Sequence, residues 1–156
     1  ISSRDDVVKA VRALTPEETL TRLNAVRDYA VKVPAGNKKT ATVGYCWGGA
    51  RSYEYATKQP GLNAAVVYYG TSPETPTLAA IKAPVLGLYG GKDQGIPSDG
   101  VRAMEHELAK LGKNATIVVY PEADHAFANP TGDNYRKPEA EFAWQRTTAF
   151  FKTHLA

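Results

Sequence analysis

The sequence predicts an α/β domain in which helices cover both faces of a parallel sheet. Four short apolar segments alternate along the chain with amphipathic stretches of helical period. The apolar segments are continuous in hydrophobicity rather than alternating with polar residues, which is typical of strands covered on both faces. At 156 residues and 43% hydrophobic composition the chain is long enough for one domain, and we expect residues 1–156 to form it.

The first part of the chain has helical patterns. Its apolar positions recur at helical spacing: Val7, Val8, Val11 and Leu14. The segment TPEE then predicts a new helix, because Thr15 can cap it, Pro16 suits its first turn and Glu18 can close a capping box. A further apolar stripe follows, which we expect to be buried: Leu20, Leu23, Val26 and Ala30.

The predicted strands and helices then alternate. The strands are TATVGY (40–45), AAVVYYG (64–70), PVLGLYG (84–90) and TIVVYP (116–121). Three helices are predicted between and after these strands. The first covers 48–58, the second ends at Gly112, and the third covers about 138–154. In the last helix we expect four residues to be buried: Trp144, Thr148, Phe151 and Leu155. In such sheets ligands bind outside the carboxyl ends of the strands.

Composition argues against several classes of protein. The net charge of +3 comes from scattered basic residues, which does not indicate nucleic-acid binding. No apolar run approaches the ~18 residues of a membrane span. A single cysteine allows no disulfide within the chain and fits a reducing, cytoplasmic location. The sequence has no glycine-rich phosphate-binding motif, and we expect no metal, nucleotide or organic cofactor.

The only cysteine, Cys46, lies in GYCWGG between a predicted strand and a predicted helix. This is the form of a nucleophile elbow, G-x-nucleophile-x-G, in which small residues let strand and helix approach each other. We expect Gly44 and Gly48 to meet that need, and the Trp47 backbone N–H to donate to an oxyanion. The helix N-terminus would favour a thiolate. The alternative is a buried cysteine that only packs.

Two later loops carry titratable side chains after a strand. Asp93 lies in YGGKDQGIP, and His125 lies in YPEADHAFANP. The residues around Asp93 also favour a simple solvent-exposed turn, which is the alternative interpretation of that segment. The other histidines, His106 and His154, fall in predicted helices. Three further carboxylates are candidates for orienting His125: Glu122, Asp124 and Asp99. Nucleophile, acid and histidine occur in the order of the α/β-hydrolase triad.

Together, GYCWGG, YGGKDQGIP and YPEADHAFAN resemble the three signature segments of the dienelactone hydrolase family, α/β-hydrolases with a cysteine nucleophile. The resemblance covers nearly the whole chain. It implies that Cys46 is the nucleophile, Asp93 the orienting acid and His125 the general base in hydrolysis of a small ester or lactone through a thioester. Some relatives have an arginine shortly after the histidine for a substrate carboxylate, whereas this sequence has Asn129.

A second departure from the family pattern concerns the start of the chain. The family has several strands before the elbow strand, and none is readable here. The elbow strand would then lie at a sheet edge, and the chain begins at Ile1 rather than methionine. We expect an upstream segment, or a second copy of the chain, to cover that edge. The alternative function is a non-catalytic truncated hydrolase fold that serves as an interaction or thiol redox-sensing module.

Four tyrosines fall at or near the ends of predicted strands: Tyr45, Tyr69, Tyr89 and Tyr120. One hypothesis is an aromatic rim that favours apolar or aromatic esters, with Tyr89 as a substrate contact. The alternative is that tyrosine suits a half-buried sheet edge.

Overall fold

A computed structural model describes residues 3–156 of the protein. Contacts between Cα atoms divide the chain into two compact units, Ile1–Lys38 and Lys39–Ala156, and each is described by itself. No helix among the described residues is long and apolar enough to cross a membrane. The organisation of residues 1–156 as one domain stays a prediction.

The first unit contains helices α1 (Arg4–Arg12) and α2 (Pro16–Ala30). The predicted capping box is confirmed, since Thr15 Oγ1 accepts from the Glu18 N–H at 3.1 Å and Glu18 Oε2 accepts from the Thr15 N–H at 2.9 Å. The expected burial of the apolar stripe on α2 is wrong for Val26, which is 68% exposed, and for Ala30, whereas Leu20 and Leu23 are half-buried; Thr19 is the fully buried residue of this helix. Capping is a local interaction, whereas burial requires a partner surface.

The second unit is a four-stranded parallel sheet with the strand order β1-β2-β3-β4. Its strands are β1 (Ala41–Tyr45), β2 (Ala64–Tyr68), β3 (Val85–Gly90) and β4 (Ala115–Tyr120). Its helices are α3 (Trp47–Lys58), a 3₁₀ helix (Thr75–Ala80), α4 (Ser98–Lys110) and α5 (Lys137–Leu155). The four predicted strands and their parallel pairing are thus confirmed, and the loops that follow them meet at one edge of the sheet.

Burial differs between the central and the outer strands. Every residue of β2 and β3 is buried, as expected for strands covered on both faces. The same expectation is wrong for β1, in which Val43 is 44% exposed and Tyr45 is 42% exposed. The position of β1 at the sheet edge, which the sequence predicted, explains the difference, because within the described residues β1 pairs only with β2.

The last helix, α5, presents a different face to the sheet from the one expected. Ala143 and Thr147 are its buried residues, and Trp144 is 56% exposed. Thr147 Oγ1 lies 2.8 Å from the Tyr68 hydroxyl, which is itself buried and whose pKa burial raises to about 12. A buried hydroxyl without a partner costs roughly 1–3 kcal/mol, so the pairing of Tyr68 with Thr147 stabilises the observed orientation of the helix.

Candidate active site

Cys46 lies between β1 and α3 in a strained backbone conformation, with φ 53° and ψ −120°. Residues other than glycine rarely adopt a positive φ, and such strain concentrates at functional sites. Hydrogen bonds hold the conformation on both sides: the Cys46 N–H donates to the Tyr68 carbonyl at 3.1 Å, and the Cys46 carbonyl accepts from the Ala50 N–H at 3.1 Å. This is the geometry of a nucleophile elbow.

Glycines let α3 approach the strand ends this closely. A Cβ atom at Gly44 would lie 1.9 Å from the Gly48 carbonyl oxygen, and one at Gly49 would lie 2.6 Å from the Tyr68 carbonyl oxygen. A Cβ at Gly48 would meet nothing within 4 Å. The expectation that Gly44 must be small is therefore confirmed, while the same expectation for Gly48 is wrong.

The Cys46 thiol is partly buried and packs against the core cluster that includes Tyr69 and Phe127. Burial raises the pKa of Cys46, and the negative charge of Asp93 raises it further. Both effects oppose the thiolate that the helix N-terminus was expected to favour. Trp47 is the first residue of α3, where the N–H has no acceptor within the helix and can donate elsewhere.

Asp93 and His125 form the second part of the site. The Asp93 Oδ2 atom lies 2.8 Å from His125 Nδ1, and the aspartate side chain is buried. Asp93 Oδ1 accepts hydrogen bonds from the Gly95 and Ile96 N–H groups, at 2.9 and 3.0 Å. A carboxylate held by two backbone donors is fixed in orientation. It favours the imidazole tautomer with a proton on Nδ1, which leaves Nε2 free to accept a proton.

The loops that carry Asp93 and His125 are packed against each other. A Cβ at Gly90 would lie 2.6 Å from the Ala123 carbonyl oxygen, and one at Gly91 would lie 2.6 Å from the Pro121 carbonyl oxygen. The Lys92 N–H donates to the Ala123 carbonyl at 2.8 Å. The glycine pair in YGGKD therefore does more than favour a turn, because it also permits the close approach of the two loops.

The backbone of His125 is held on both sides as well. Asp124 Oδ1 accepts from the His125 N–H at 2.6 Å, and Asn134 Nδ2 donates to the His125 carbonyl at 3.0 Å. The next residue, Ala126, has a φ of 62°. Sequence reasoning did not identify Asn134, whose contact depends on how the loop after His125 folds back.

The other titratable candidates do not contact the His125 ring. Asp124 binds the backbone of His125, as described above, and Glu122 pairs with Lys92, which lowers the pKa of Glu122. Asp99 lies exposed in the first turn of α4, and His106 is exposed on the same helix. Among the described residues no group of three or more histidine, cysteine, aspartate or glutamate side chains could hold a metal ion.

Tyr69 connects the two parts of the site. It follows β2 with a φ of 37°, is buried, and its ring centroid lies 5.2 Å from that of His125. Burial raises the pKa of its hydroxyl, and the charge of Cys46 acts in the same direction. Cys46 and His125 are thus neighbours of one tyrosine, although no hydrogen bond joins their side chains within residues 3–156. Sequence reasoning placed Tyr69 near the site but could not foresee its strained backbone.

The four tyrosines do not form the expected rim. Tyr45 is exposed, whereas Tyr69, Tyr89 and Tyr120 are buried. Tyr89 instead lines a cavity of about 230 Å³ beside the loop that carries Asp93. Its role as a substrate contact stays a prediction.

Fold and site together define an α/β-hydrolase: a parallel sheet with a strained cysteine after one strand, and an aspartate–histidine pair after two others. The profile of the dienelactone hydrolase family matches residues 2–155. The chain belongs to this family.

Individual relatives agree with that assignment. A Yersinia pestis protein, provisionally named carboxymethylenebutenolidase, is 37% identical over 154 residues, which are 92% of this chain and 58% of that protein. The crystal structure of a provisionally named dienelactone hydrolase from Klebsiella pneumoniae has a TM-score of 0.85 at 37% identity, covering 91% of this chain and 63% of that one. A dienelactone hydrolase-like promiscuous phosphotriesterase from metagenomic libraries shares the fold, with a TM-score of 0.82 at 20% identity over 99% of this chain and 69% of that one. The chain thus spans about three fifths of the length of the first two relatives.

The glycines on either side of Cys46 should respond differently to alanine. Gly44→Ala places a Cβ against the Gly48 backbone, so we expect it to displace α3 and lower the melting temperature strongly or prevent folding. Gly48→Ala adds a methyl group in open space on a helix, where alanine is favoured over glycine by roughly 1 kcal/mol. Thermal unfolding followed by circular dichroism compares the two. Equal melting temperatures would contradict the close approach described for Gly44.

The reactivity of Cys46 should depend on pH in a way that reports its burial. Because burial and the charge of Asp93 raise the thiol pKa, the alkylation rate should reach half its maximum at a higher pH than that of N-acetylcysteine. Iodoacetamide labelling from pH 5 to about 11, read as intact mass, measures this midpoint. A midpoint well below that of the free thiol would show a stable thiolate and contradict the electrostatics described here.

Proposed function

We propose that this chain carries the catalytic groups of a carboxylic ester or lactone hydrolase that works through a cysteine thioester. Cys46 is the nucleophile, His125 the general base and Asp93 the residue that orients His125. The observation that supports this most directly is the 2.8 Å hydrogen bond between Asp93 and His125 at the same sheet edge as the strained Cys46. The names of the relatives point to the same class of reaction.

The first step follows from the raised pKa of Cys46. A thiol that is protonated at neutral pH needs a base, and His125 Nε2 is free to accept its proton when Nδ1–H donates to Asp93. The transfer requires Cys46 Sγ to come within hydrogen-bond reach of the imidazole. The buried Asp93 carboxylate then stabilises the imidazolium that forms.

Acyl transfer then proceeds through two tetrahedral intermediates. The Cys46 sulfur attacks the ester carbonyl carbon, and the Trp47 N–H donates to the oxyanion. As the intermediate collapses, the imidazolium of His125 protonates the departing alkoxide and leaves a thioester on Cys46. Water, deprotonated by His125, attacks the thioester carbonyl, and the acid leaves as the thiol is restored. The substrate of this scheme is a small ester or lactone, and it needs no cofactor.

The raised pKa of the Cys46 thiol also bears on the alternative function, in which Cys46 would sense oxidants. Redox-sensor cysteines are exposed and have a low pKa, because the thiolate is the form that oxidants attack. Cys46 is partly buried and its pKa is shifted the other way. These properties favour a nucleophile that is activated by a base at the moment of reaction.

Activated esters test the proposal with a matched pair of histidine variants. With p-nitrophenyl acetate, Cys46→Ala and His125→Ala should each lower kcat/KM by about 10³-fold or more, because the two side chains act as a unit. Asp93→Asn should lower kcat/KM by the same factor or by a smaller one. His106→Ala, on the exposed face of α4, should leave the rate unchanged.

A serine variant separates thiol from hydroxyl chemistry. Cys46→Ser should retain a slow rate, because the elbow, the base and the Trp47 donor remain, while a hydroxyl depends more on its base than a thiol does. Iodoacetamide should inactivate the parent protein and spare this variant. Undiminished turnover by Cys46→Ala would rule out the cysteine mechanism.

A further inference from the structure

We propose that the cavity lined by Tyr89 binds one apolar group of the ester, a single ring or a short alkyl chain. The cavity has a volume of about 230 Å³ and lies among the loops after β2 and β3 and the start of α4. This inference rests on the proposed function, since it assigns a substrate group to a space beside the triad.

Two walls of the cavity are formed by residues that contact the catalytic elements. Gly70 forms part of one wall, and it packs so closely on the first turn of α3 that a Cβ at Gly70 would lie 2.4 Å from the Ala50 N atom. Gly95 and Ile96 form part of another wall, and their N–H groups hold Asp93 Oδ1. The cavity therefore borders the loop that fixes the acid, and Gly70 alone of its lining residues joins it to the turn that carries the nucleophile.

Its size and chemistry limit what the cavity can hold. A space of ~150 Å³ lined by apolar side chains accepts a benzene-sized ligand, and whole small-molecule sites begin near 300 Å³. At about 230 Å³ the cavity fits one ring or a short chain rather than an entire substrate. Its side chains from α4 and the preceding loop are apolar: Ile96, Pro97, Val101 and Met104.

Thr71 and Ser72 also line the cavity, on the loop after β2. Tyr89 forms part of the wall, but its side chain is only 1% exposed and its hydroxyl is buried. A group in the cavity therefore meets the tyrosine as an apolar surface rather than through its oxygen.

Gly100 offers a way to fill the cavity without disturbing the fold. It lines the cavity on α4, and a Cβ there would meet nothing within 4 Å. Gly100→Leu should therefore lower kcat/KM by at least about tenfold for whichever ester, p-nitrophenyl hexanoate or hexyl acetate, places its chain in the cavity, and by less than about twofold for ethyl acetate. Arg102→Leu adds the same side chain at an exposed position of the same helix and should change neither rate.

A second ester series identifies which end of the substrate enters the cavity. If the acyl chain does, the hexanoate loses its rate and hexyl acetate does not. If the alkoxy group does, hexyl acetate loses its rate and the hexanoate does not. Equal rates for parent and Gly100→Leu in both series, or an equal loss in Arg102→Leu, would overturn the assignment.

Binding of phenol and toluene tests the cavity without turnover, so that its failure can be told from failure of the proposed function. Saturation-transfer NMR should show both probes bound to the parent and neither to Gly100→Leu. Binding that Gly100→Leu leaves intact would contradict the cavity site, whereas normal binding in a chain with no esterase activity would contradict the hydrolase proposal alone.

Discussion

The first turn of α3 packs against the ends of β1 and β2 with their backbones in close approach. Gly44, Gly49 and Gly70 leave no room for a Cβ at this junction, and the Tyr68 carbonyl receives the Cys46 N–H there. These contacts fix the chain on both sides of Cys46 and keep it at a positive φ that it would not adopt freely. The direction of the thiol therefore depends on glycines that contribute no side chain.

A second close approach completes the site in the same way. Gly90 and Gly91 let the loop after β3 lie on the loop after β4, and the Lys92 N–H joins them. Asp93 can then be buried, held by two backbone donors and still reach His125 Nδ1. Because the carboxyl ends of parallel strands share one edge, two such junctions suffice to place all three side chains on it.

Sequence reasoning identified the features that depend on local chemistry or on chain order. The capping box at Thr15, the four strands and the loops that carry Asp93 and His125 are of this kind. Features that depend on tertiary neighbours were missed or wrong. Thr147 rather than Thr148 faces the core because Tyr68 lies opposite it, and Gly48 has free space because α3 turns it away from the strands. The pKa of Cys46 likewise follows from burial, which a motif does not encode.

The central claim is that Cys46 becomes acylated, and peptide mapping of the trapped intermediate tests it most directly. The protein is mixed with p-nitrophenyl acetate, quenched in acid and digested, and the peptides are analysed by mass spectrometry. The account predicts one acetyl group on the peptide that contains Cys46, removable by hydroxylamine and missing from Cys46→Ala. Hydrolysis of the ester with the acetyl group on another residue, or with Cys46 never modified, would contradict it.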